Sequence, residues 1–158
     1  VPLNPQDILA EGDALFARCK SLPDAICPPN VDLPPPQKLS LIHTDIGVNL
    51  VGAGKTLRLI DWQCPAIGDI CEDIYSFLSP AFQILAERAP LTDVQVSDFW
   101  LALMRPELEA RYALLGQAYA WRFAGYCAWR SEVLDDAEIC ARYNRAMEKE
   151  LSYMRQKV

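Results

Sequence analysis

Apolar positions divide the chain into three textures. Ile8, Leu9, Leu15 and Phe16 recur at helical spacing behind Asn4-Pro5, an N-cap followed by proline at the first helical position, so a helix is expected over about residues 5–20. Proline then dominates. Eight of the 12 prolines fall in the first 36 residues, and the runs Pro28-Pro29 and Pro34-Pro35-Pro36 predict an extended connecting loop. Beyond it, Leu39, Leu41 and Ile42, then Leu50 and Val51, then Leu57, Leu59 and Ile60 suggest short strands near 39–42, 49–52 and 56–61. The last two flank Gly52-Ala53-Gly54-Lys55 and read as a hairpin.

From Glu72 onward the period is helical. Ile74, Phe77 and Leu78 begin one helix, and Thr92-Asp93 caps another that carries Phe99, Trp100 and Leu103. The longest spans about residues 107–130. In it Leu108, Tyr112, Leu115, Tyr119 and Phe123 form one stripe, and Ala118, Ala120 and Ala124 let neighbours approach closely. A last helix, about 135–156, opens on Asp135-Asp136 and ends in basic residues, as the helix dipole favours. The expected fold is mainly α with a small β-hairpin. It is one domain in three parts: residues 1–38, 39–80 and 81–158.

Composition narrows the function classes. A length of 158 residues suits one domain, and 51% hydrophobic with 23% charged residues is globular rather than disordered composition. Fifteen Lys and Arg against 21 Asp and Glu leave a net charge of −6, which argues against a nucleic-acid partner. No apolar run approaches the roughly 18 residues of a membrane span. The chain opens at Val1 without an initiator Met or a basic, then apolar, leader, so no secretory signal is expected and a longer parent chain is. Six scattered cysteines and the single His43 make neither a disulfide framework nor a zinc cage. Reduced thiols in a cytoplasmic protein are expected.

Candidate chemistry concentrates in residues 41–80. Asp45, Asn49 and Asp61 lie within 17 positions at strand ends and loops. Hard oxygen donors in that number suit Mg²⁺ shared with phosphate, with a further carboxylate to take a hydroxyl proton. The competing reading is solvated or helix-capping carboxylates. Gly52-Ala53-Gly54-Lys55-Thr56 imitates a P-loop, but the pattern needs glycine where Asn49 stands, and a strand rather than a helix follows. Tyr112, Tyr119, Trp121, Tyr126 and Trp129 read first as core and second as an aromatic box for a cation. Whether Arg122 and Arg130 pair with carboxylates or face solvent is open at this level.

His43-Thr44-Asp45 with Asn49 resembles the catalytic loop HxDxxxxN of the protein-kinase-like phosphotransferases, specifically the aminoglycoside phosphotransferase and choline kinase family. Asp61-Trp62-Gln63 resembles that family's metal-binding DW[E/Q], and the stretch from Gly68 to Ile74 is similar to its GDPxxDLA. The resemblance implies the C-terminal lobe of a kinase-like fold that transfers the γ-phosphoryl group of ATP to a small-molecule hydroxyl acceptor. It implies Asp45 as catalytic base, Asn49 and Asp61 as Mg²⁺ ligands, and His43 and Asp73 as structural support; Asp69 and Glu72 are read as surface or capping groups.

Two departures stand out. Ile46-Gly47-Val48 puts three residues where the family has four, so either Asn49 turns from the metal or Gly47 supplies a tighter backbone. Nothing before Asp45 offers the N-terminal nucleotide-binding lobe, with its phosphate-covering loop and strand lysine. An isolated chain is therefore expected to be inactive. The alternative is a non-catalytic pseudoenzyme or interaction domain derived from that fold, and the acceptor is undetermined.

Overall fold

The apolar stripes assemble as follows in the computed structural model, which describes residues 5–20, 35, 36 and 38–156. The expected Asn4 cap, nearly all of the proline loop and Cys27 lie outside the described residues. In chain order the elements are α1 (Pro5–Phe16), β1 (Ser40–Ile42), β2 (Leu50–Ala53), β3 (Thr56–Leu59), β4 (Ala66–Gly68), α2 (Ile70–Leu78), α3 (Pro80–Leu85), α4 (Asp93–Leu103), α5 (Pro106–Val133) and α6 (Ala137–Gln156). The domain is mainly helical with two small antiparallel sheets, β1–β4 and β2–β3. The β2–β3 hairpin closes on Gly54 at φ 61, the left-handed backbone that a two-residue turn requires and glycine tolerates. The P-loop reading is thereby excluded, because β3 continues as a strand.

Helix α5 is the axis of the core. Tyr112, Leu115, Ala118, Tyr119, Ala124 and Cys127 are buried along it, and α1, α2 and α6 pack around it. The crossing with α1 depends on two glycines. A Cβ on Gly125 would lie 3.0 Å from the Gly12 carbonyl, and one on Gly12 would collide with the Trp121 ring. That ring packs on Phe16 at 4.4 Å and its Nε1 donates to Asp13 at 2.9 Å. Tyr112, Tyr119 and Trp121 are thus core residues; Tyr126 and Trp129 are half-buried. Arg130 lies over the rings of Trp129 and Tyr143.

Two elements escape the sequence pattern. β4 has only three residues and exists because β1 pairs with it, Leu41 opposite Ile67. α3 has six, and Ser79 ends α2 and caps α3 at once, its hydroxyl accepting from Phe82 N. The first helix stops at Phe16 rather than residue 20, in a tightened turn bonding Cys19 N to Phe16 O. α4 carries the expected Thr92 cap as a full capping box with Gln95. It buries no residue of its own, and docks through Phe99 on Phe77 and Trp100 on Tyr112. Cys19, Cys64, Cys71, Cys127 and Cys140 are free thiols, and no helix among the described residues is long and apolar enough to cross a membrane.

One buried carboxylate stands apart. Glu150 of α6 is fully buried, accepts from the Ser79 hydroxyl and from Ala81 N, and has no ion pair among the described residues. Burial without a cation pushes its carboxyl up to about 7, although those donors pull the other way. A carboxyl that holds its proton more tightly folded than unfolded contributes stability that is complete below its ordinary 4.5 and lost as pH rises through 7. The loss amounts to about 3 kcal/mol at most. Urea denaturation across this range is expected to show that slope in the native protein and to lack it in Glu150→Gln. Gly12→Ala, measured the same way, is expected to cost about 1–3 kcal/mol through overpacking against Trp121.

Candidate active site

The site is built on the first turns of α2. Asp69 caps this helix by accepting from Cys71 N at 3.0 Å, and its other oxygen holds Arg111 of α5 at 2.6 Å. Glu72 holds Arg122 of α5, also at 2.6 Å, and Arg122 reaches Glu11 of α1 at 3.5 Å. Glu72 is therefore not the surface group expected from sequence. It is largely buried and ties α2 to α5, a partnership across 50 positions that no local pattern reports.

Asp73 and Ser76, three residues apart and so on one face of α2, receive the loop that follows β1. Both Asp73 oxygens accept from His43 N, at 3.0 and 2.9 Å, and Oδ1 also accepts from Thr44 N at 2.7 Å. The Ser76 hydroxyl accepts from Ile46 N at 3.1 Å and donates to Asp73 O. Asp45 N donates to His43 Nδ1 at 3.3 Å. Four consecutive amides are thereby satisfied without a helix or a strand, which a buried backbone requires. Burial pushes the Asp73 carboxyl up from its ordinary value, and the bonds from the His43 and Thr44 amides oppose that shift.

These bonds fix the tautomer of His43. Nδ1 accepts, so Nε2 carries the proton and donates to Ile60 O at 2.8 Å. The ring is 2% exposed and packs edge-on against Trp62 at 4.7 Å. His43 is thus a strut between the loop and the end of the hairpin, with no free nitrogen for acid–base work.

Around the strut lie Asp45, Asn49 and Asp61. Asn49 is buried; its Nδ2 donates to Asp45 O at 2.9 Å, and its carbonyl accepts from Ile60 N, the residue before Asp61. With the amide nitrogen engaged, Oδ1 is the atom left to accept. With the three-residue spacer Asn49 is bonded to the Asp45 backbone carbonyl. Gly47 does not adjust the loop by a left-handed backbone, since its φ is not positive. Its contribution is space: a Cβ there would lie 3.2 Å from Ser76 O and 3.6 Å from Phe82. The left-handed residues are Thr44 (φ 71) and Asp61 (φ 60), one at each edge of the site. Such backbone costs about 1–3 kcal/mol in a non-glycine residue and persists only where its surroundings impose it. Asp73 does so at Thr44, whose hydroxyl donates to Cys64 O, just beyond Asp61.

Among the described residues Asp61, which is exposed, accepts only a long bond from Gln63, at 3.5 Å, and no donor is bonded to the Asp45 carboxylate. Two carboxylates and an amide oxygen are hard donors of the kind Mg²⁺ takes. Among the described residues no group of three or more His, Cys, Asp or Glu side chains is placed to hold a metal ion. Ser76 was missed from sequence; its signal, three residues after Asp73 on a helix, is legible only once Asp73 is known to face the loop.

Asp73→Asn would put an amide nitrogen where the His43 N–H now donates. It is expected to cost about 2–4 kcal/mol in urea denaturation and to speed hydrogen exchange at the His43 and Thr44 amides selectively. Loss of stability with unchanged exchange at those two amides would overturn the bracing role. Comparison of the chain with protein-family models, curated proteins and solved structures finds no match, so a functional reading of this site rests on its own chemistry.

Proposed function

We propose that the chain is the C-terminal lobe of a small-molecule kinase, which transfers the γ-phosphoryl group of ATP to a hydroxyl acceptor. What supports the reading is that Asn49 bonds the Asp45 carbonyl and accepts from Ile60, the residue before Asp61, beside the buried His43 strut, and that no cation among the described residues pairs with the Asp45 carboxylate. Asp45 accepts the hydrogen bond of the acceptor alcohol, aims its oxygen and takes the proton as the new O–P bond forms. Asn49 and Asp61 are the residues to hold Mg²⁺, which when bound neutralises charge on the phosphate oxygens. His43 and Asp73 keep the loop in place, because phosphoryl transfer depends mainly on position and electrostatics.

Two further observations bear on completeness. Ahead of Asp45 the described residues form one helix and one three-residue strand, with no phosphate-covering loop. Leu41, Val51, Leu57, Ile60, Trp62 and Ile67 all stand exposed on the β segment beside the site. Soluble domains rarely leave such a concentration of apolar side chains uncovered. A nucleotide-binding lobe seated there would cover it and supply the other half of the ATP clamp. A cytoplasmic location, where ATP is plentiful and thiols stay reduced, belongs to the same proposal.

Calorimetric titration of the isolated chain with Mg-ATP is expected to give weak binding or none, and a coupled ADP-release assay no turnover. Joined to an upstream lobe, the chain is expected to turn over. Asp45→Asn and Asp61→Asn should then each lower kcat by about a thousandfold or more. Turnover indifferent to Asp45→Asn would overturn the catalytic assignment and favour an interaction domain that has only kept the fold.

A further inference from the structure

Beside the catalytic loop a hollow of about 430 Å³ opens between the C-terminal end of α1, α3 and α5. Thr44, next to Asp45, lies in its wall. A slab of half-buried rings also lines it. Phe82 and Phe123 stack at 4.1 Å and 10°, and Tyr126 continues the stack from Phe123 at 5.6 Å and 21°. The volume lies at the small end of ligand pockets, enough for a molecule of one or two rings.

The charges at the mouth select among such molecules. Arg122 is already engaged by Glu72 at 2.6 Å and by Glu11 at 3.5 Å, so neither that cation nor the Glu11 carboxylate is uncommitted. Arg18 also lines the hollow, is exposed and has no carboxylate partner among the described residues. The uncommitted charge in the hollow is therefore positive. Among the described residues that line the hollow, a polycation would find its carboxylate, Glu11, already facing Arg122, and would meet Arg18.

We infer that this hollow is the acceptor subsite and that it takes an aromatic alcohol bearing a carboxylate. The ring lies on the Phe82–Phe123–Tyr126 slab, the carboxylate meets Arg18, and the hydroxyl reaches the loop at Thr44–Asp45. The word acceptor rests on the kinase reading; the ligand chemistry does not. In the transfer, the alcohol oxygen forms the new bond to the γ-phosphorus, the bond from that phosphorus to ADP breaks, and the alcohol proton passes to Asp45.

The test needs neither ATP nor metal. The isolated chain is titrated with para-(hydroxymethyl)benzoate, benzyl alcohol and para-(aminomethyl)benzyl alcohol, and amide chemical shifts are followed. The carboxylate is expected to bind tightest, with shifts centred on Arg18, Thr44 and Tyr126. Arg18→Gln should weaken the carboxylate about threefold to fivefold and leave benzyl alcohol unchanged, and Arg18→Glu should place the amine first. Phe123→Ala should weaken all three about tenfold, and Phe123→Leu, which keeps the packing volume but removes the ring, should weaken them in the same order. Equal binding of the three probes, preference of the native chain for the amine, or shifts centred elsewhere would overturn the inference. A correct probe ranking in a protein that never turns over, even with an upstream lobe, would leave the ligand site standing and remove the kinase reading.

Discussion

One carboxylate organises the site. Asp73 lies in the first turn of α2, and the backbone N–H groups of His43 and Thr44 both end on it. A loop that belongs to neither helix nor strand must find partners for its buried amides elsewhere, and Asp73 with Ser76 supplies them. Everything downstream follows from that anchorage. Thr44 is held in a left-handed backbone, His43 is presented to Ile60, and Asn49 folds back on the Asp45 carbonyl. Without the anchor, the strain at Thr44 has nothing to hold it.

The anchor is only as rigid as the helix that bears it. Asp69 and Glu72 bind two arginines of α5, so the first turn of α2 is tied to the longest element of the core. Glu150 secures the other end, where Ser79 joins α2 to α3. Phe82 of α3 in turn packs beside Gly47 of the loop. The helical core therefore fixes the loop from two sides, and the same packing forms the aromatic slab of the neighbouring hollow. The histidine at the centre fits this role, since both its ring nitrogens are engaged by the backbone.

The contrast between the two faces of the domain bears on the proposed activity. The helical side buries Tyr75, Tyr112, Tyr119 and Trp121 in its core, and the β segment leaves Val51, Leu57, Ile60 and Trp62 exposed near Asp61. Asp45, Asn49 and Asp61, the residues proposed above for metal binding and proton transfer, lie on that β side. An exposed apolar face beside these residues is the feature on which the proposal of a covering lobe rests.

Long periodic segments were legible from sequence alone. The stripe from Leu108 to Phe123, the Thr92 cap and the hairpin turn at Gly54 each follow from a local rule, because a helix of 28 residues or a glycine at positive φ carries its signal within a few neighbours. The sequence also offers Asp45, Asn49 and Asp61 as candidates, on the chemistry of their functional groups alone. The short elements β4 and α3, the ion pairs of Glu72 and Asp69, and the bracing by Ser76 were not legible there, since each depends on a partner far along the chain or on a face that only packing selects. Gly47 shows the difference most clearly. From sequence it is a residue free to bend, but Ser76 and Phe82 pack so closely against it that what matters is the side chain it lacks. Sequence determined which residues could do chemistry, because that resides in their functional groups. Tertiary structure decided which of them meet, because that depends on long-range packing and on where buried amides find their acceptors.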